Sequence, residues 1–245
     1  VMLGTERKSL VMKEEERRLT AYHEGGHAVC AMMVKGNDPL HKVTIVPRGR
    51  ALGVAFTLPE DDRVSVTREQ LEARLVMAYG GRVAEELVFG HDHVTTGASG
   101  DIQQATSIAR RYVSQWGLSD SIGPILVGDN EQEVFLGQQL TSRRAVSERT
   151  AQAVDDEVSR VIQQAYNRAK EVLTTHRALL DAIAAGLLER ETLIRDDFDR
   201  LLRGEPLAAR VEIPTNPPTV PPAAVTPEPR RPAPGLLGGP EPSPA

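Results

Sequence analysis

Apolar residues recur at helical spacing over most of the first 205 positions, and changes in that rhythm divide the chain into elements. Leu19, Tyr22, Gly26, Val29 and Met33 fall on one face of a helix over about 12–35. The period then shortens. His41–Val46 and Leu52–Leu58 are β-rich runs separated by Pro47-Arg48-Gly49, which predicts a hairpin. Thr67, followed three residues later by Gln70, makes a capping box for a helix over 68–79. Gly80-Gly81 interrupts it, and Arg82–Phe89 reads as a second helical piece. Ile102, Ala105, Ala109, Tyr112 and Trp116 form another stripe, closed by Gly117 as a C-cap. An irregular stretch with Gly123, Pro124 and Gly128 follows. Ser147 then opens a long helix to about Thr175, with the stripe Ala151, Val154, Val158, Ile162, Ala165 and Ala169. Shorter helices over 177–189 and 192–203 complete a mainly α fold with one small β-hairpin or sheet, without internal repeats.

Composition changes this picture at one end. Of the 17 prolines among 245 residues, 12 fall from Pro214 onward, in a stretch with little apolar surface to bury. Proline removes backbone donors and blocks helix, so residues 211–245 are expected to form a disordered, polyproline-prone tail. The folded domain is then about 13–210. A net charge of −5 argues against a predominantly nucleic-acid-binding surface. Cys30 is the single cysteine, which excludes an internal disulfide framework. The longest apolar run, Ala28–Val34, is far shorter than the roughly 20 residues of a membrane span, and no signal peptide opens the chain. Because Val1 stands first, the sequence is expected to be a piece of a longer polypeptide.

Candidate chemistry lies inside the first helix. His23-Glu24-Gly25-Gly26-His27 is an H-E-x-x-H motif. Spacing of four places both imidazoles on one helical face, one turn apart, where they can share a tetrahedral ion. Glu24, about 100° further round the helix, can reach a water at that ion without ligating it. Zinc acidifies such a water and polarises a carbonyl, while a carboxylate moves the proton to the leaving amine. Two consecutive glycines cost a helix about 1 kcal/mol each, which suggests a close backbone approach at Gly25-Gly26.

A catalytic zinc needs a third protein ligand. The longer pattern H-E-x-x-H-x-x-G-x-x-H is excluded, because Cys30 and Met33 stand where it requires glycine and histidine. Cys30 reads as a small core residue. The candidates are Glu85, Glu86, His41, His91, His93 and Asp101. Asp101 follows the turn-forming Thr95-Thr96-Gly97-Ala98-Ser99-Gly100 and is expected in the first turn of the next helix, with Ser99 as N-cap. The helix dipole there favours the ionised, ligating carboxylate. Spacing alone leaves Asp101 and the Glu85–Glu86 pair equally open.

Three of these segments in order, His23–His27, Gly80-Gly81-Arg82-Val83-Ala84-Glu85-Glu86-Leu87 and Thr95–Asp101, resemble the FtsH family of membrane-anchored, ATP-dependent zinc metalloproteases. The resemblance continues through Gln115-Trp116-Gly117 and Glu133-Val134-Phe135-Leu136-Gly137 and covers about residues 5–205. It implies a helical zinc-peptidase domain with Zn2+ held by His23, His27 and Asp101, and with Glu24 as catalytic base. Glu85 and Glu86 are then left to helix-end or packing salt bridges. It also implies that residues 1–12 are a linker from an AAA ATPase module that is not in this chain, in keeping with the lack of a G-x-x-x-x-G-K-[ST] loop. By the same resemblance the parent is a homo-hexamer anchored in a bacterial inner membrane, its peptidase facing the cytoplasm. Its substrates would be unfolded or membrane-extracted polypeptides.

The chain departs from the family's usual pattern at Gly25, where alanine is common, and at Gly100, where asparagine is common. Gly25 is expected to loosen the helix slightly and Gly100 to alter the turn that presents Asp101. The run Leu52–Leu58 could act as an edge strand that pairs with extended substrate. A module that holds a ring together around a structural metal is the competing reading; a stand-alone zinc peptidase is a third.

Overall fold

A computed structural model describes residues 12–47, 52–59, 65–128 and 146–208. Most of the expected linker, all of the proline-rich tail, Arg48-Gly49 of the turn and the Glu133–Gly137 motif lie outside the described residues. The described chain is mainly helical, with one small sheet.

Helix α1, Glu14–Met33, runs through the middle of the fold. Its segment from Glu24 to Ala31 is buried all round, not along one stripe, while Leu19, Tyr22 and Met33 are only half-buried. The reason is that α2 (Arg68–Phe89), α4 (Glu148–Thr175) and α5 (Arg177–Arg190) all pack on α1, with the sheet closing another side.

The glycine pair expected to break the second helix does not do so: α2 is continuous from Arg68 to Phe89, opened by the anticipated Thr67–Gln70 capping box. Gly80 lies on the carbonyl of Gly26, and a Cβ there would stand 2.5 Å from that oxygen. Two glycines thus let α1 and α2 cross backbone to backbone. The packing gained along that contact outweighs the propensity cost of about 1 kcal/mol per glycine.

Strands β1 (Leu40–Thr44) and β2 (Val54–Thr57) are antiparallel, with Val43 opposite Ala55, as the hairpin reading requires. A third strand was not anticipated. Thr192–Ile194 forms β3, which pairs antiparallel with the other edge of β1, and only Arg195–Leu202 (α6) is helical in the segment expected to be helix over 192–203. Glu191, at φ 60°, ends α5 in the left-handed region and turns the chain. Leu193 then buries completely, and Thr192 bonds Thr44 at 2.9 Å. Among the described residues the strand order is β2-β1-β3, which leaves β2 at one edge.

Helix α3, Ser99–Ser114, buries Ala105, Ala109, Tyr112 and Val113. The expected end members of its stripe, Ile102 and Trp116, are exposed; Ile102 lies in the first turn, and Trp116 lies beyond the end of the helix. Its N-cap is Ala98, not Ser99, and its C-cap is Gln115. Gly117, at φ 59°, turns the chain two residues beyond that cap, where it meets Pro124. Helix α4 begins as expected, with the Ser147 hydroxyl accepting from the Thr150 amide. No helix among the described residues is long and apolar enough to cross a membrane.

Candidate metal centre

Two elements bring the candidate ligands together. His23 and His27 project from the same face of α1, and Asp101 enters from the first turn of α3. The Nε2 atoms of the two imidazoles are 3.1 Å apart. Asp101 Oδ2 is 3.3 Å from His23 Nε2 and 3.4 Å from His27 Nε2.

Hydrogen bonds on the far side of each ring define what those atoms are. His27 Nδ1 faces the Met77 carbonyl at 2.8 Å, and since a carbonyl only accepts, Nδ1–H is the donor. His23 Nδ1–H donates to Glu85 Oε1 at 2.7 Å. In the neutral rings both Nε2 atoms then carry lone pairs, aimed with a carboxylate oxygen at one point. Three acceptors within 3.4 Å of one another repel unless a cation lies among them. A tetrahedral zinc with bonds of about 2.0–2.1 Å has ligand–ligand edges of about 3.3 Å, so the residues present fit that ion.

Electrostatics agree. Burial opposes charge on His23, but hydrogen bonds to Asp101 and Glu85 outweigh it and push its pKa up to about 10. Burial raises the Asp101 carboxyl, yet His23 and His27 hold it well below the usual carboxylate range. The site therefore favours positive charge at its centre and an ionised aspartate.

Glu24 lies beside this cluster under the start of β2. A Cβ on Gly53 would stand 2.6 Å from its Cγ, and the Ala55 amide donates to its carboxylate. Burial is the chief influence and raises its pKa, against the pull of His27 and His23. A carboxylate with raised basicity, held by a helix on one side and a strand on the other, suits proton transfer.

The other candidates are placed elsewhere. Glu85 is fully buried but stands behind His23, where it also accepts the Thr95 amide at 2.8 Å and the Thr95 hydroxyl at 3.1 Å. Its expected role in a packing salt bridge is thus narrower and closer to the chemistry: it orients a histidine. Glu86 does make an interhelical pair, with Lys170 at 3.0 Å and the Tyr166 hydroxyl. His41, on β1, and His91 and His93, on a short 3-10 turn, are outside the cluster. Among the described residues His23, His27 and Asp101 form the one such group. Cys30 is core. A Cβ on Gly25 would meet Leu180 Cδ1 at 3.2 Å, so the close backbone approach belongs to Gly26 alone. Gly100 is helical with open space around it, so its place does not require glycine. The turn before Asp101 is held by Thr95, whose hydroxyl accepts from the Gly97 amide at 3.1 Å, a contact that reading residue types alone had missed.

His23, Glu24, His27, Glu85, Thr95 and Asp101 line a cleft of about 1000 Å³ bounded by α1, α2, β2 and the first turns of α3. Comparison with known proteins adds to the geometry. The model of Peptidase family M41 matches residues 10–201. A protein of Magnetococcus marinus named ATP-dependent zinc metalloprotease FtsH is 50% identical over 206 residues, 84% of this chain and 30% of its own length. One of the same name from Caulobacter vibrioides is 49% identical, over 84% of this chain and 33% of its own. ATP-dependent zinc metalloprotease FtsH 4 of Sorangium cellulosum is 50% identical over 87% of this chain and 33% of its own. The chain thus spans about a third of these curated relatives. Since the family match covers most of the chain and takes in every residue around the His23–His27–Asp101 cluster, the chain belongs to peptidase family M41.

Proposed function

We propose that this chain is a zinc-dependent endopeptidase domain in which His23, His27 and Asp101 hold the metal and Glu24 is the catalytic base. The observation that carries the reading is the convergence of two Nε2 lone pairs and one carboxylate oxygen at edges of 3.1–3.4 Å. Zinc held there would supply Lewis acidity at the scissile bond. Glu24 takes a proton from the attacking water at its carboxylate and delivers it to the leaving amine. The Ala55 amide holds Glu24 in place for both transfers. Extended substrate would pair with the edge of β2 that no strand takes among the described residues, and β2 lines the cleft through Val54, Ala55 and Thr57. Affinity drawn from backbone in this way tolerates many sequences.

The wider setting is part of the same proposal. Relatives whose names couple ATP to zinc proteolysis are about two and a half times this chain's length or more. We take residues 13–210 as the peptidase domain of a comparable parent, preceded by a linker from an AAA ATPase module and followed by a proline-rich tail. The parent would be a membrane-anchored hexamer that feeds unfolded polypeptides to these sites. A ring-assembly module with a structural metal is disfavoured by Glu24, since a structural site needs no buried basic carboxylate beside its ligands.

Casein and flexible-peptide cleavage by the Glu24→Gln variant tests the reading. Loss of cleavage with metal content near one equivalent is expected; unchanged cleavage would remove Glu24 from its role. Asp101→Ala is expected to lower bound zinc sharply, and full retention would reassign the third ligand.

A further inference from the structure

The cleft continues past the metal ligands into a segment that the chemistry above does not use. Helix α2 is tied to the centre where the Met77 carbonyl accepts from His27 Nδ1 at 2.8 Å. Arg74 stands one turn earlier on the same helix, about 5 Å along its axis. On α3, Asp101, Gln104 and Ile108 share a face at i, i+3 and i+7 and line the same cleft as Arg74, Met77 and Ala78. Among the described residues that line it, Arg74 is the one arginine or lysine.

The other charges there are committed. Glu85 is engaged by His23 and Thr95, Glu24 by Ala55, and Asp101 by the two histidines. Asp38 backs Arg74, with Oδ2 3.4 Å from Nη2. Both line the cleft, and with the Asp38 side chain 10% exposed and that of Arg74 38%, the guanidinium is the more open of the two. A guanidinium carries five donors, one of which Asp38 Oδ2 accepts at 3.4 Å.

We infer that this segment is a specificity subsite for an acidic substrate side chain, with Arg74 as the residue that reads the carboxylate. The stem of a glutamate lies along Met77, Ala78 and Ile108, and its head meets Arg74 with the Gln104 amide beside it. Planar, charge-assisted contact of this kind selects a carboxylate over the isosteric amide. The inference rests on the peptidase reading.

The test uses the zinc-loaded chain and peptides with amidated C-termini, which exclude the chain end as the source of the carboxylate. One Glu, Gln or Lys is moved through the positions flanking the cut, and cut sites are assigned by mass spectrometry. Cuts at a fixed offset from Glu, about tenfold faster than for Gln, are expected. Arg74→Glu is expected to abolish that register and create one for Lys. Anisotropy of the same peptides on the Glu24→Gln variant reports the preference without turnover. Identical cut sites, rates and affinities for the unaltered chain and Arg74→Glu would overturn the subsite. Failure to cut any peptide, with the binding preference intact, would overturn the catalytic assignment and leave the subsite standing.

Discussion

Glu85 accepts the Nδ1–H of His23 at 2.7 Å, from a helix 62 positions further along the chain. That contact fixes the ring's tautomer and aims Nε2 at His27 and Asp101. Two donors from Thr95 hold the carboxylate in turn, so the loop that delivers Asp101 and the helix that carries His23 are braced through one buried side chain.

Replacing Glu85 with glutamine keeps the shape but loses the charge and turns an amide group toward donors. Outer partners of ligating histidines are worth about tenfold to a hundredfold in metal affinity. Chelator competition should show a loss of that size with the fold retained by circular dichroism. Undiminished affinity would show that His23 does not depend on Glu85.

The two glycines of the motif should behave in opposite ways. Gly26→Ala places a Cβ 2.7 Å from the Ala84 Cβ and onto the Gly80 backbone, so α1 and α2 must part. A loss of about 1–3 kcal/mol or more is expected. Gly25→Ala makes its one tight contact with the movable Leu180 Cδ1 at 3.2 Å, and helix propensity favours it by up to about 1 kcal/mol. Chemical denaturation of both variants measures the contrast; equal effects would refute the Gly26–Gly80 crossing as the cause.

Zinc binding should release a proton from His23. In the metal-free chain the raised pKa of about 10 means that stability from protonated His23 is complete below the ordinary value of 6.5 and is lost as pH rises through about 10. Metal competes with that proton, so affinity should climb with pH by about tenfold per unit in this window. Calorimetry in buffers of different ionisation enthalpy counts the protons released at pH 8, and a count of zero would contradict the assignment.

Glu24 contributes to stability with a definite sign. Burial raises its folded pKa, so the protonated form favours folding below the ordinary glutamate value, and that contribution is lost as pH rises through the folded pKa. The neutral Glu24→Gln side chain should therefore raise the melting temperature of the metal-free chain at pH 8 and have less effect near pH 4.5. Thermal scans at both values decide it; a lowered melting temperature at pH 8 would mean that the ionised carboxylate is well accommodated.

Local chemistry was legible along the chain wherever it depends on neighbours in sequence. The four-residue spacing of His23 and His27 puts them on one helical face in any helix, the Thr67–Gln70 box opens α2, and Ser147 opens α4. Other features depend on partners far away. Gly80-Gly81 looks like a break until Gly26 is packed on it. Thr192–Ile194 becomes a strand because β1 offers an unpaired edge. Asp101 and Glu85 were interchangeable as acids at plausible spacing, and residue type could not separate them. The crossing of α1, α2 and α3 did, by setting one carboxylate against the imidazole lone pairs and the other against an N–H. Spacing in sequence determines which side chains share a helix face; only the packing of separate elements decides which atom of each side chain meets which, and ligand and positioning residue differ by that alone.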